Sequence, residues 1–158
     1  QWCVSNDCQH LARLHIQCDD HRRCVNQPFR SRKPKLHIAL TGSRRGLGVF
    51  ADEPIRANQL IAVYFGEKTT DRPFDMTYVA RIPETRTYVD ARKVQCTAKY
   101  INHVCADPNA EFQVWTVEGE ATLAIFSSRS INKHDEITIR YCAKDQLWFR
   151  CECKSCCE

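Results

Sequence analysis

The sequence predicts a mostly β domain of small sheets with metal-stapled ends, and three observations carry that expectation. Short runs rich in β-branched and aromatic residues alternate with glycine and proline. The run Phe112 to Val117 alternates, Glu118-Gly119 turns, and Ala121 to Phe126 returns, the pattern of a β-hairpin. The cysteines gather at the two ends of the chain.

Taken in order, the runs Leu36 to Thr41, Gly48 to Ala51, Leu60 to Phe65 and Tyr78 to Ile82 read as strands, punctuated at Gly42, Pro54, Gly66 and Pro83. Only Thr97 to Asn102 reads as a helical turn. The 158 residues are 43% hydrophobic and 27% charged, which suits one globular domain with a real core. The longest apolar run, Leu60 to Phe65, is far too short to span a bilayer, so no membrane partner is expected. No repeat or low-complexity segment is visible.

There are eleven cysteines, an odd number, with no signal-peptide pattern ahead of them. Clustered thiols in a reducing compartment favour metal over disulfides. Cys151, Cys153 and Cys156 leave a tetrahedral zinc one ligand short, and Cys105 is the candidate fourth. A second group is Cys3, Cys8, Cys18 and Cys24, with His10, His15 and His21 as substitutes. Two structural zinc ions are therefore expected, and Cys96, Cys142 and Cys157 remain as free thiols.

Charge is uneven: residues 1 to 45 hold nine Lys or Arg against three acids, and the remainder fourteen against sixteen, within a net +4. The run Arg30-Ser31-Arg32-Lys33-Pro34-Lys35 and the pair Arg44-Arg45 have the charge for non-specific contact with DNA phosphates. The same residues also suit a solvated face.

The densest polar string is Tyr100-Ile101-Asn102-His103-Val104-Cys105-Ala106-Asp107-Pro108-Asn109, and with it the chain resembles the SET domain of protein lysine methyltransferases, whose signature is an Asn-His-x-Cys-x-Pro-Asn loop. Further motifs follow in the family's order: Arg45-Gly46-Leu47-Gly48-Val49, Tyr64-Phe65-Gly66-Glu67, Tyr88-Val89-Asp90-Ala91, Asp135 to Tyr141 and the cysteine tail. The segment Cys18 to Phe29 is similar to the end of the AWS cysteine region that precedes some SET domains. The resemblance implies a pre-SET zinc region over 1–29, a SET domain over 30–142 and a post-SET zinc region over 143–158. It also implies a fold of small curved sheets with a pseudoknot, in which the strand bearing Tyr141 packs beside Asn102-His103.

What the resemblance implies chemically is methyl transfer from S-adenosylmethionine to a lysine, most naturally on a histone tail or nucleosome in the nucleus. Tyr141 falls on the family's catalytic tyrosine, Tyr64 is the second catalytic candidate, and Tyr64, Ile139 and Tyr141 are expected to line the lysine channel. Cofactor contacts fall to Arg45, Gly46, Leu47, Gly48, Tyr78, Lys99, Asn102, His103, Tyr141 and Trp148, with Leu147 or Phe149 as alternatives to Trp148 for covering the adenine. Glycines let backbone groups approach a ligand closely. Lys99 stands where the family usually has Arg, which keeps the charge but loses the planar fork. The chain also departs from the family at Leu47, at Gln95-Cys96 and by one extra residue between Cys105 and Pro108. Those departures suit a second expectation, a SET-like module that binds a peptide or chromatin without catalysis.

Overall fold

The computed structural model describes residues 32–117, 120–142, 147, 149–153 and 156. Among the described residues ten strands form three small sheets, in the order β1 (Leu36–Leu40), β2 (Leu47–Ala51), β3 (Leu60–Tyr64), β4 (Glu67–Thr69), β5 (Val79–Arg81), β6 (Tyr88–Asp90), β7 (Asn102–His103), β8 (Ala110–Val117), β9 (Glu120–Ser127) and β10 (Glu136–Ile139). A 3-10 turn at Thr97–Tyr100 precedes β7. No helix among the described residues is long and apolar enough to cross a membrane.

The sheets run β1-β2-β10-β7, β3-β9-β8 and β4-β6-β5. The predicted hairpin is present, with Ala110↔Ser127 through Val117↔Glu120 in register. The strand expected from Tyr78 begins one residue later, because Tyr78 takes φ 56°, a left-handed conformation that breaks an extended run. β4, β6 and β7 were not anticipated as strands; at two or three residues each they are too short to show a period-2 pattern.

β10 decides the architecture. It lies antiparallel to β2, with Glu136↔Phe50 and Ile137↔Val49, and parallel to β7, with Thr138↔Asn102 and Ile139↔His103. A parallel pair demands a long crossover, here the chain from 104 to 135 with the β8–β9 hairpin. The strand leading to Tyr141 thus lies beside Asn102-His103, as the resemblance implies. Alternation puts Ile137 and Ile139 on one face, both at most 1% exposed, in a core shared with Val49, Ile61, Ile101 and Ile125.

Asn109 completes β10 from the side. Its amide donates to the Glu136 carbonyl at 2.8 Å and accepts from the Thr138 N–H at 2.9 Å, so one side chain stands in for a neighbouring strand.

Gly66 shows how tightly the third sheet is fitted to the end of β3. A Cβ there would lie 2.1 Å from the Asp90 carbonyl oxygen and 2.9 Å from the Ala91 nitrogen, both backbone atoms that cannot swing aside. Gly66→Ala is therefore expected to lower unfolding stability by about 1–3 kcal/mol, as overpacking does. Denaturant titration beside wild type measures it, and an unchanged midpoint would refute the fit.

Candidate functional site

Three remote segments meet along β10. The turn between β1 and β2, closed by Thr41 N–H donating to the Gly46 carbonyl at 2.9 Å, presents Arg45. Gly46 has φ 72° with open space where a Cβ would stand, so glycine serves the turn there and leaves its surface uncovered. Arg45 grips Glu136 with both ends of its fork, Nη1 to Oε1 at 3.1 Å and Nη2 to Oε2 at 2.8 Å. Asn102 Nδ2 donates to the same Glu136 Oε1 at 3.0 Å and to the Leu47 carbonyl at 2.9 Å. Glu136, quoted in the sequence only as part of a motif, is the hub that joins the Arg45–Gly48 edge to Asn102. Gly48 is packed inside this joint: a Cβ would meet Thr41 Cγ2 at 2.7 Å and Glu136 Oε1 at 2.8 Å.

Tyr141 is fixed from two directions. Its hydroxyl donates to the Ile101 carbonyl at 2.6 Å, and its backbone N–H donates to His103 Nδ1 at 3.0 Å. Burial pushes the phenol of Tyr141 well above its ordinary range, and burial first, then the neighbouring Cys96, does the same for Tyr64. Both hydroxyls therefore stay neutral. Tyr64 is buried in the same core cluster as Ile139, with Tyr141 packed against it, and meets Phe112 edge-on at 5.9 Å.

His103 is buried, and burial, followed by the nearby Arg140, lowers its pKa, so the ring is neutral. Because Nδ1 accepts the Tyr141 N–H, the ring proton is assigned to Nε2, which points at Cys105 Sγ at 3.3 Å. One imidazole thus joins the tyrosine strand to a cysteine of the candidate metal cluster.

That cluster is Cys105, Cys151, Cys153 and Cys156, whose sulfurs all lie within 4.8 Å of one another. Cys105 Sγ stands 3.5 Å from Cys151 Sγ and 3.4 Å from Cys156 Sγ. A tetrahedron with Zn–S near 2.3 Å places sulfurs about 3.8 Å apart, so the set fits zinc with only small adjustment. The predicted fourth ligand, Cys105, is where chemistry required it. Burial and neighbouring thiols push the Cys105 thiol up to about 12, so zinc binding must displace its proton and leave a thiolate.

The other expected residues are placed as follows. Tyr78 is 39% exposed and meets Tyr100 edge-on at 5.5 Å. Leu47 and Phe149 are partly exposed, and Phe149 lies edge-on to His103 at 6.1 Å and to Tyr141 at 6.2 Å. Phe149, one of the alternatives for covering the adenine, therefore adjoins the site, while Trp148 lies outside the described residues. So do Cys3, Cys8, Cys18 and Cys24, and with them the second expected zinc. Lys99 directs its ammonium to backbone carbonyls, at 3.1 Å from Ala91 and 2.9 Å from Val94. The stretch between Cys105 and Pro108 that holds the extra residue includes Asp107, at φ 50° and ion-paired with Arg129. Of the basic residues, Arg32 is paired to Glu53 at 2.7 Å and holds that carboxyl below its usual range, whereas Lys33, Lys35 and Arg44 are exposed.

Comparison with known proteins agrees with this layout. The SET domain family model matches residues 46–142. Histone-lysine N-methyltransferase ASHH3 of Arabidopsis thaliana is 31% identical over 129 residues, covering 75% of this chain and 35% of its own length. A histone-lysine N-methyltransferase, H3 lysine-36 specific, of Eremothecium gossypii is 30% identical over 150 residues, covering 88% of this chain and 20% of its own. The chain thus spans about a third or less of either relative. A chain in the crystal structure of an active polycomb repressive complex 2 in the stimulated state aligns with a TM-score of 0.63 at 22% identity, covering 71% of this chain and 16% of that one, a similarity of fold.

The four-cysteine set leads to a prediction about metal. Wild-type protein should carry one more equivalent of zinc than Cys105→Ser when both are measured by elemental analysis, and chelation should lower the melting temperature, since such binding is folding energy. Equal zinc contents in the two proteins would refute this assignment.

Proposed function

The chain belongs to the SET-domain family, and from that membership we propose that it is an S-adenosylmethionine-dependent methyltransferase acting on a lysine of a histone. The observation that carries this reading is the seating of Tyr141 beside Asn102-His103, with its hydroxyl on the Ile101 carbonyl and Tyr64 in the adjoining core. The surface around Gly46, Leu47 and Tyr78 and the partly exposed Phe149 suit a bound nucleoside, and Arg45 to Gly48, Asn102 and His103 would hold it with their backbone groups.

When bound, S-adenosylmethionine supplies an electrophilic methyl group on a sulfonium. The lysine amine must be neutral to attack it, which costs roughly 4 to 5 kcal/mol at pH 7 in water. Buried tyrosines that stay un-ionised lower that cost, because they desolvate the amine without offering an anion that would hold it as ammonium. The lysine proton would pass to solvent, since neither tyrosine is ionised to accept it, and Tyr64 and Tyr141 would hold the neutral amine toward the methyl group that the bound cofactor supplies. Orientation and desolvation provide most of the acceleration.

A histone substrate, and with it a nuclear location, is supported by the relatives, whose names specify histone lysine and, in one, lysine 36 of histone H3. The exposed Lys33, Lys35 and Arg44 suit contact with nucleosomal DNA. Labelled cofactor with nucleosomes beside free histones tests the reading; label on no lysine would leave a binding module in its place.

Within that assay Tyr141→Phe is expected to lower kcat by at least about a hundredfold while cofactor affinity changes by less than about threefold, as for a group that acts in the transition state. An unaltered turnover number would show that Tyr141 is packing alone. Ile139, which has no hydroxyl to hold a water beside the amine, should allow more than one methyl to be added. Mass spectrometry at long times should find di- or trimethyl lysine from wild type and a shift toward monomethyl from Ile139→Tyr; monomethyl alone from wild type would contradict the argument.

A further inference from the structure

Lys99 is bound on every side by its own chain. Its Nζ donates to the carbonyls of Val94 at 2.9 Å, Ala91 at 3.1 Å and Arg92 at 3.5 Å, matching three donors to three converging acceptors. The same ammonium stands 5.2 Å from the ring centre of Tyr78 and 5.3 Å from that of Tyr100, within cation–π range of both. Ala91 closes the circuit, because its N–H donates to the Tyr78 carbonyl at 2.9 Å while its carbonyl accepts from Lys99. One charge from the 3-10 turn before Asn102 therefore ties down the segment after β6 and the ring before β5.

Tyr78 requires such a tie. Its φ of 56° is unfavourable for a bulky residue, and its ring is partly exposed, so neither backbone preference nor burial would fix it. We propose that Lys99 is a positioning residue for Tyr78, holding that ring as a wall of the cofactor site through its carbonyl and aromatic contacts, and does not itself bind the cofactor carboxylate. This rests on the proposed use of S-adenosylmethionine and specifies how the site holds it. An arginine would serve poorly in this role, because a planar fork cannot converge on three carbonyls as a compact ammonium does.

The test compares S-adenosylmethionine with its decarboxylated form by calorimetry, on wild type, Lys99→Met, Lys99→Arg, Tyr78→Leu and the Lys99→Met/Tyr78→Leu double variant. Absence of binding to wild type would fail the proposed function and not this inference. Lys99→Met should weaken both ligands by the same factor, about tenfold. Lys99→Arg should not restore either, and the double variant should bind no more weakly than Tyr78→Leu alone. Loss confined to the carboxylate-bearing ligand, full rescue by Arg, or additive losses in the double variant would each overturn the proposal. If Lys99→Met proves unfolded by its melting temperature, the contrast between ligands in Lys99→Arg decides: a carboxylate-binding role predicts retained or stronger binding of S-adenosylmethionine only, the positioning role an equal loss of both.

Discussion

Everything in the candidate site depends on β10 being hydrogen-bonded on both sides. An antiparallel neighbour can be supplied by a nearby turn, but the parallel neighbour β7 can be reached only after the crossover has been laid down. The pairing fixes register as well as position: a slip of one residue would turn Ile137 and Ile139 out of the core and bring Glu136 and Thr138 in. Because that error would bury a carboxylate and expose two isoleucines, the register is strongly determined. Tyr141 inherits its location from that decision, two residues beyond Ile139.

Glu136 shows what the alternate face of the strand is used for. A carboxylate this enclosed would be costly alone, and it is compensated by both arms of Arg45 and by the Asn102 amide. Such a pair adds little net stability compared with apolar packing, but it discriminates sharply between arrangements, since displacing any partner leaves a charge poorly solvated. Its partners are 91 and 34 residues away in sequence, so it forms only when the turn before β2, the Asn-His strand and β10 have all assembled.

How much of this was legible in the sequence follows from the range of each signal. β1, β2, β3 and the β8–β9 hairpin announce themselves through local alternation and turn residues, and Cys105 stands out as the candidate fourth ligand because tetrahedral zinc demands a fourth thiol; the four sulfurs do lie together. β7 was invisible as a strand, since two residues have no period. Lys99 read as a charge aimed at a ligand, and nothing local indicates that Ala91, Arg92 and Val94 turn their carbonyls toward it. Glu136 and Asn109 are of the same kind: each side chain serves groups more than twenty-five residues away, which spacing cannot express.

The most consequential link across these ranges is His103. Its Nδ1 holds the Tyr141 backbone and its Nε2 faces Cys105, so the two nitrogens connect the catalytic candidate to the metal candidate through one rigid ring. Arg140 adds a second strut, donating from Nη2 to the Cys105 carbonyl at 2.7 Å. A thiolate at Cys105 favours the proton on Nε2, and that tautomer leaves Nδ1 able to accept the Tyr141 N–H. A protonated thiol would accept the Nε2 proton more weakly and hold the ring less firmly. In this architecture a metal held at the cysteine cluster would therefore be coupled to the orientation of Tyr141 by hydrogen bonding.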